Sequence, residues 1–129
     1  MAAAAQFEEV LLVGHVGKLV KLAGGIMNTH SRTADCRTEL FCTHAALCGA
    51  SREVCAALME AATTDACLDI LEQVDLRQPV LERLLAAIQL HLERRAADSF
   101  AVGAVLFSNK HGPLGQTKKA EELLKRWAK

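Results

Sequence analysis

Five cysteines, five histidines and a scatter of carboxylates are the side chains with which this sequence could do chemistry. The cysteines stand at Cys36, Cys42, Cys48, Cys55 and Cys67, in steps of 6, 6, 7 and 12, with no C-x-x-C pair. That spacing supports neither a zinc ribbon nor a dithiol redox motif. His44 and Cys48 lie four apart and can share a helix face, with His30 or Cys36 as further ligands. A thiol on an apolar stripe, however, behaves as a small hydrophobe, so the expectation is free thiols and no metal. A thiol nucleophile needs a histidine and an orienting acid or amide. His15, His30, His44, His91 and His111 show no spacing that singles one out. The motifs G-x-S-x-G, G-x-x-x-x-G-K-[ST] and G-x-G-x-x-G are absent from the sequence. Gly14, Gly17, Gly24 and Gly25 read as the interruption and end of a helix, and Asp65 with Asp69 as acids on a solvated helix face. The chemistry therefore points to a non-enzyme with no cofactor and no small-molecule substrate.

The elements that would carry these residues read as helix after helix. Phe7 to about Ala23 is apolar on nearly every side and stops at Gly24-Gly25, with a loop over 26–33. A second helix spans about Ala34–Leu47, with Leu40, Phe41, Ala45 and Cys48 on one stripe. Ser51 caps a third, and Thr64 with Asp65 opens a fourth that ends near Asp75. Pro79 occupies the first turn of the clearest helix, where Leu81, Leu84, Leu85, Ile88 and Leu92 recur at three- and four-residue steps. Asp98 or Ser99 caps Phe100–Asn109, a dense apolar stretch. The Lys110–Gly115 loop breaks the chain before a last helix, Gln116–Ala128, that buries Ala120, Leu123, Leu124 and Trp127. The fold expected is all-α: one helical domain over 1–129, a compact bundle of about five to seven helices, with 1–6 a flexible tail. Trp127 in its core would make Trp127→Ala cost about 3–5 kcal/mol.

Composition agrees with a folded domain. Of the 129 residues 51% are apolar and 23% charged, which excludes wholesale disorder. Fifteen Lys and Arg cancel fifteen Asp and Glu, leaving no basic field for nucleic acid. The apolar run Val10–Val13 is far shorter than the roughly 18 residues of a membrane span, and the acidic start does not resemble a secretory leader. The expectation is an intracellular protein that binds neither nucleic acid nor membrane. Charge is uneven along the chain, however. Seven acids between Glu53 and Glu82 face Arg77 alone, and six bases between Lys110 and Lys129 face Glu121 and Glu122.

In the C-terminal half a Leu-rich segment leads to Pro79-Val80. Val102-Gly103-Ala104-Val105, the Lys110-His111 pair and Leu123-Leu124-x-x-Trp127 follow. This order resembles the N-terminal (LW) domain of transcription elongation factor S-II, also found in elongin A. The departures are Leu81 where the family has Thr, a longer stretch from Val80 to Val102, and no counterpart for 26–63. The resemblance implies a transcription elongation module in the nucleus that docks disordered acidic, aromatic-anchored segments of partner proteins. A groove between the last two helices, walled by Val105, Leu106, Leu123 and Trp127, would take the anchor. Lys110, His111, Lys118 and Lys119 would attract the flanking acids.

The competing expectation is a structural subunit, or a piece of a helical-repeat scaffold, that buries an apolar face in a larger assembly. The hydrophobic Val10–Leu22 stretch and the cysteine-rich 36–67 region favour it, and its compartment would be the cytoplasm.

Overall fold

The computed structural model describes residues 9–24, 36–96 and 101–127. The expected tail at 1–6, the 26–33 loop with His30, and the caps at Asp98 and Ser99 lie outside them. In chain order the elements are β1 (Glu9–His15), α1 (Val16–Leu19), a 3-10 turn (Val20–Gly24), α2 (Arg37–Leu47), α3 (Arg52–Glu60) and α4 (Thr64–Gln73). They continue with α5 (Arg77–Ala96), β2 (Ala101–Ser108), β3 (Gly112–Gln116) and α6 (Lys118–Trp127). The all-α bundle is thus corrected to an α/β fold around a mixed sheet ordered β1-β2-β3, with β1 parallel and β3 antiparallel to β2.

The error has a physical origin. Val16–Gly24 is helical as expected, but the strands Glu9–His15 and Ala101–Ser108, which fall in stretches expected as helix, hold short apolar runs with no polar face. A short apolar strand has that pattern too, and periodicity alone does not separate it from a buried helix. Length and valine content do: Val10–Val13 and Val102–Phe107 are four and six residues long and rich in Val. Pro113 falls in β3, at the edge of the sheet, where its missing N–H is tolerated.

The helices between the strands follow their local signals. Ser51 Oγ accepts the Val54 N–H at 3.2 Å and starts α3. The cap of α4 is Thr63, one residue before the expected opening, with its Oγ1 accepting the Ala66 N–H at 3.1 Å. After α4 the chain turns at Asp75, whose φ of 57° is a left-handed conformation that aspartate tolerates better than most residues. Helix α5 then buries Val80, Leu81, Leu84, Leu85, Ile88 and Leu92. They join Phe41, Leu58, Leu68 and Leu71 from the preceding helices in one core. Lys21, placed by the 3-10 turn, is only 1% exposed and has partners, as a buried ammonium must.

Side chains alternate across a strand, and the two faces of β2 meet different helices. Val102, Ala104 and Leu106 point into the α5 core. On the other face Gly103 lies beneath α6, so close that an added Cβ would stand 2.5 Å from the Ala120 nitrogen. Thr117, 1% exposed, ties the two together. Its N–H donates to the Ala104 carbonyl at 2.9 Å, and its Oγ1 accepts the N–H groups of Ala104 and Ala120 at 3.0 and 3.3 Å. Helix α6 buries only Ala120 and Leu123. The expected core position of Trp127 is therefore corrected. The ring is 49% exposed, its N–H donates to the Glu9 carboxylate, and Arg126 pairs with the same carboxylate at 2.6 Å. Leu124, also expected inside, is 37% exposed.

The contact between Gly103 and Ala120 makes a sharp prediction. Gly103→Ala has to push α6 off the strand, an overpacking that destabilises by about 1–3 kcal/mol in urea unfolding. A midpoint equal to that of the parent protein would mean that α6 does not rest on β2.

Candidate functional site

Parallel α/β sheets bind ligands outside the carboxyl ends of their strands, because the strand-to-helix turns there present side chains free of the ladder. In this chain β1 and β2 end together, with His15 and Phe107 as registered partners. The His15 ring meets the Phe107 ring edge-on at 5.8 Å between centroids, and Phe107 is 36% exposed. His15 also caps α1: its Nδ1 accepts the Gly17 N–H at 2.9 Å. Gly17 leaves room for this arrangement. A Cβ there would come within 3.1 Å of His15 Nδ1 and 3.3 Å of Thr64 Oγ1. Thr64 itself is buried at the start of α4, so β1, β2 and α4 all converge beside His15.

A polar network closes the other side of this edge. Ser108, 2% exposed at the end of β2, donates its hydroxyl hydrogen to the Asp65 carboxylate. The same oxygen accepts the N–H groups of Lys110 and His111 at 3.1 and 3.2 Å, which folds the turn into β3. Lys110 Nζ reaches Asp69 Oδ2 at 2.6 Å. His111 Nε2 lies 3.1 Å from Asp69 Oδ1. Arg77 Nη1 sits 3.3 Å from His111 Nδ1 and 3.7 Å from Glu72. The hydrogen bond from Lys110, and next its charge, hold the Asp69 carboxyl below its usual range against some desolvation. Asp69 raises Lys110 in return.

Asp69, Glu72 and His111 offer ligand atoms within 4.8 Å of one another, a donor set that suits a divalent cation. Lys110 and Arg77 already supply the positive charge there, so the cluster works as an ion-pair network. His44, considered with Cys48 as a ligand, has a buried Nδ1 with no hydrogen-bond partner among the described residues, and burial followed by the charge of Arg83 lowers its proton affinity.

The residues expected to form a peptide groove are dispersed. Leu106 is buried in β2 facing α5, and Val105 is partly buried on the opposite side of that strand. Leu123 is buried under α6, and Trp127 is held by Glu9. Lys118 is exposed at the start of α6, and Lys119 pairs with Glu122 at 3.5 Å. The helix pair that was to frame the groove does not exist, because β2 occupies the place of the first helix. Only Lys110 and His111 come together, on Asp69. His15 was missed as one histidine among five. The signal for it was Gly14-His15-Val16-Gly17 directly after the Val10–Val13 run, a strand-to-helix turn once that run is read as a strand.

The network makes stability depend on pH in a definite direction. Asp69 binds its proton less readily in the folded chain than in the unfolded one. Its contribution is therefore present above the ordinary value of 3.8 and lost as pH falls through the lowered value. Lys110 is the mirror case: its contribution is present below 10.5 and lost as pH rises through the raised value. Asp69→Asn should lower the urea midpoint at neutral pH and make the acid limb shallower. An acid limb identical to the parent's would show that the Lys110 contact contributes nothing.

The family profile "CbiD, C-terminal domain" matches residues 28–118. A cobalt-precorrin-5B C(1)-methyltransferase of Ruminiclostridium cellulolyticum is 48% identical over 102 residues, covering 79% of this chain and 27% of that protein. The protein of the same name from Alkaliphilus metalliredigens is 33% identical over 117 residues, 91% of this chain and 31% of its own length. That of Methanobrevibacter smithii is 42% identical over 82 residues, 64% of this chain and 23% of its own length. The chain thus spans under a third of the length of these relatives. No solved structure matches it.

These findings overturn the likeness to transcription elongation factor S-II and the nuclear, transcription-linked role drawn from it. The Val102-Gly103 step that carried the likeness lies in a strand, not on a helix, while the Lys110-His111 pair lies in a turn as expected, here the turn of a β-hairpin. The scaffold alternative finds no support either. The relatives are named as enzymes acting on cobalt-precorrin-5B, which corrects the expectation of a non-enzyme without a small-molecule substrate. Those relatives are bacterial and archaeal, so the nucleus is withdrawn and the cytoplasmic fallback is the consistent one. By its match over 28–118 and its identity to these proteins, the chain belongs to the CbiD C-terminal domain family.

Proposed function

We propose that this chain serves as the C-terminal domain of a cobalt-precorrin-5B C(1)-methyltransferase, working in the cytoplasm on that small molecule. The observation that carries the reading is the 48% identity to the Ruminiclostridium cellulolyticum enzyme over 79% of the chain. The geometry supports it independently. An α/β domain whose parallel strands end on a histidine, an exposed aromatic ring and a fixed polar turn has the layout of a substrate-facing edge. In this reading Lys110 and His111 do not receive a peptide. They fasten the turn after β2 to α4, so that the end of β2 keeps its position relative to β1.

The test is a domain exchange. The matched segment of the Ruminiclostridium cellulolyticum enzyme is replaced by this chain, and methyl transfer to cobalt-precorrin-5B is followed as the mass gain of one methyl group. The expected result is transfer within about tenfold of the parent rate, the scale of about 1.4 kcal/mol in barrier for a domain that keeps its geometry. A folded chimera that leaves cobalt-precorrin-5B unmethylated, beside an active parent enzyme, would defeat the reading.

A further inference from the structure

We infer that His15 is a substrate-contacting residue, presenting its Nε2–H to an oxygen acceptor on cobalt-precorrin-5B at the shared carboxyl end of β1 and β2. The inference rests on the methyltransferase reading and adds to it a residue and an atom. It follows from how the ring is held. Nδ1 accepts the Gly17 N–H at 2.9 Å, so Nδ1 carries a lone pair and the proton of the neutral ring sits on Nε2. The tautomer is thus set by the backbone.

The orientation is set as well. Phe107 abuts the ring edge-on from the neighbouring strand, and the missing Cβ of Gly17 leaves room for Nδ1 beside Thr64. Among the described residues no hydrogen bond satisfies Nε2, and His15 is only partly buried. A donor with its rotamer and tautomer fixed, and with no protein acceptor, is preorganised for a ligand. Phe107, still 36% exposed beside it, adds an apolar wall to the same spot.

Capping α1 is the competing explanation for His15, and one substitution separates the two roles. In His15→Asn the amide oxygen can take the place of Nδ1 as acceptor for the Gly17 N–H, since asparagine is among the best capping residues. The Nε2–H is lost. The experiment uses the chimera above, with cobalt-precorrin-5B as titrant and as substrate, and with the melting temperature of each variant measured alongside. The expectation for His15→Asn is a parent-like melting temperature and a Kd for cobalt-precorrin-5B weakened about tenfold, with KM raised and the rate at saturation largely kept. Phe107→Leu serves as the second variant. It leaves the cap untouched while removing the ring that steadies the imidazole, and a smaller loss of affinity is expected from it.

Parent-like affinity in both variants would overturn the inference and leave the methyltransferase reading intact, with His15 reduced to a cap. If His15→Asn melts early, the Phe107→Leu titration decides in the same way. A chimera that neither binds nor methylates cobalt-precorrin-5B before any substitution defeats the reading and the inference together.

Discussion

The parallel pairing of Glu9–His15 with Ala101–Phe107 is the constraint on which the rest of this structure depends. A parallel pair cannot be joined by a tight turn, so the chain between the strands must cross over and return to the same edge. Here the crossover includes α1 through α5. Closing so long a connection is less demanding than it looks, because loop entropy grows only by about 0.6 kcal/mol per doubling of length. What must offset it is the apolar surface that the crossover helices bury. Val80, Leu84 and Ile88 of α5 meet Val102, Ala104 and Leu106 of β2 in one continuous core. The pairing and the core are therefore a single device, and it is the device that sets His15 beside Phe107.

The second face of the sheet is held by a smaller contact. Only Ala120 and Leu123 of α6 are buried, so the helix has little apolar surface with which to hold itself down. Its position comes from close approach and polar stitching instead. Gly103 lets the helix backbone descend onto the strand, and Thr117 satisfies two N–H groups while its own N–H closes on Ala104. Glu9 then receives both Arg126 and the Trp127 indole, which fastens the far end of α6 to the start of β1. A residue that composition alone marks as a core plug is thus a surface clamp.

How much could be read from the sequence divides along these lines. Where a helix has one polar and one apolar face, as over Leu81–Leu92, the pattern places both the element and its buried side. Where the chain is covered from both sides, as in Val102–Leu106, the pattern loses its polar half and strand and helix look alike. The likeness to a helical transcription domain drew on that ambiguous stretch, since Val-Gly, Lys-His and a terminal Trp fit a helix-turn-helix as easily as a strand, hairpin and helix. The candidate site was hidden for the same reason. His15 gains meaning only as the last residue of a strand, and the short apolar run before it does not by itself distinguish a strand from a helix.

The uneven charge along the chain also changes meaning in three dimensions. Seven acids in 53–82 and six bases in 110–129 look, in one dimension, like surfaces awaiting partners of opposite sign. Folded, the two blocks partly serve each other. Asp69 of the acidic block takes Lys110 and faces His111, while Asp65 takes the Ser108 hydroxyl that shapes the turn presenting both. Within the basic block Lys119 goes to Glu122, and Arg126 goes to Glu9 at the other end of the chain. Pairs as exposed as these contribute little stability singly. Their effect is on register: Arg126 ties the end of α6 to the start of β1, while Asp69 with Lys110 and His111 holds the turn after β2 against α4, on the polar side of the edge that His15 completes.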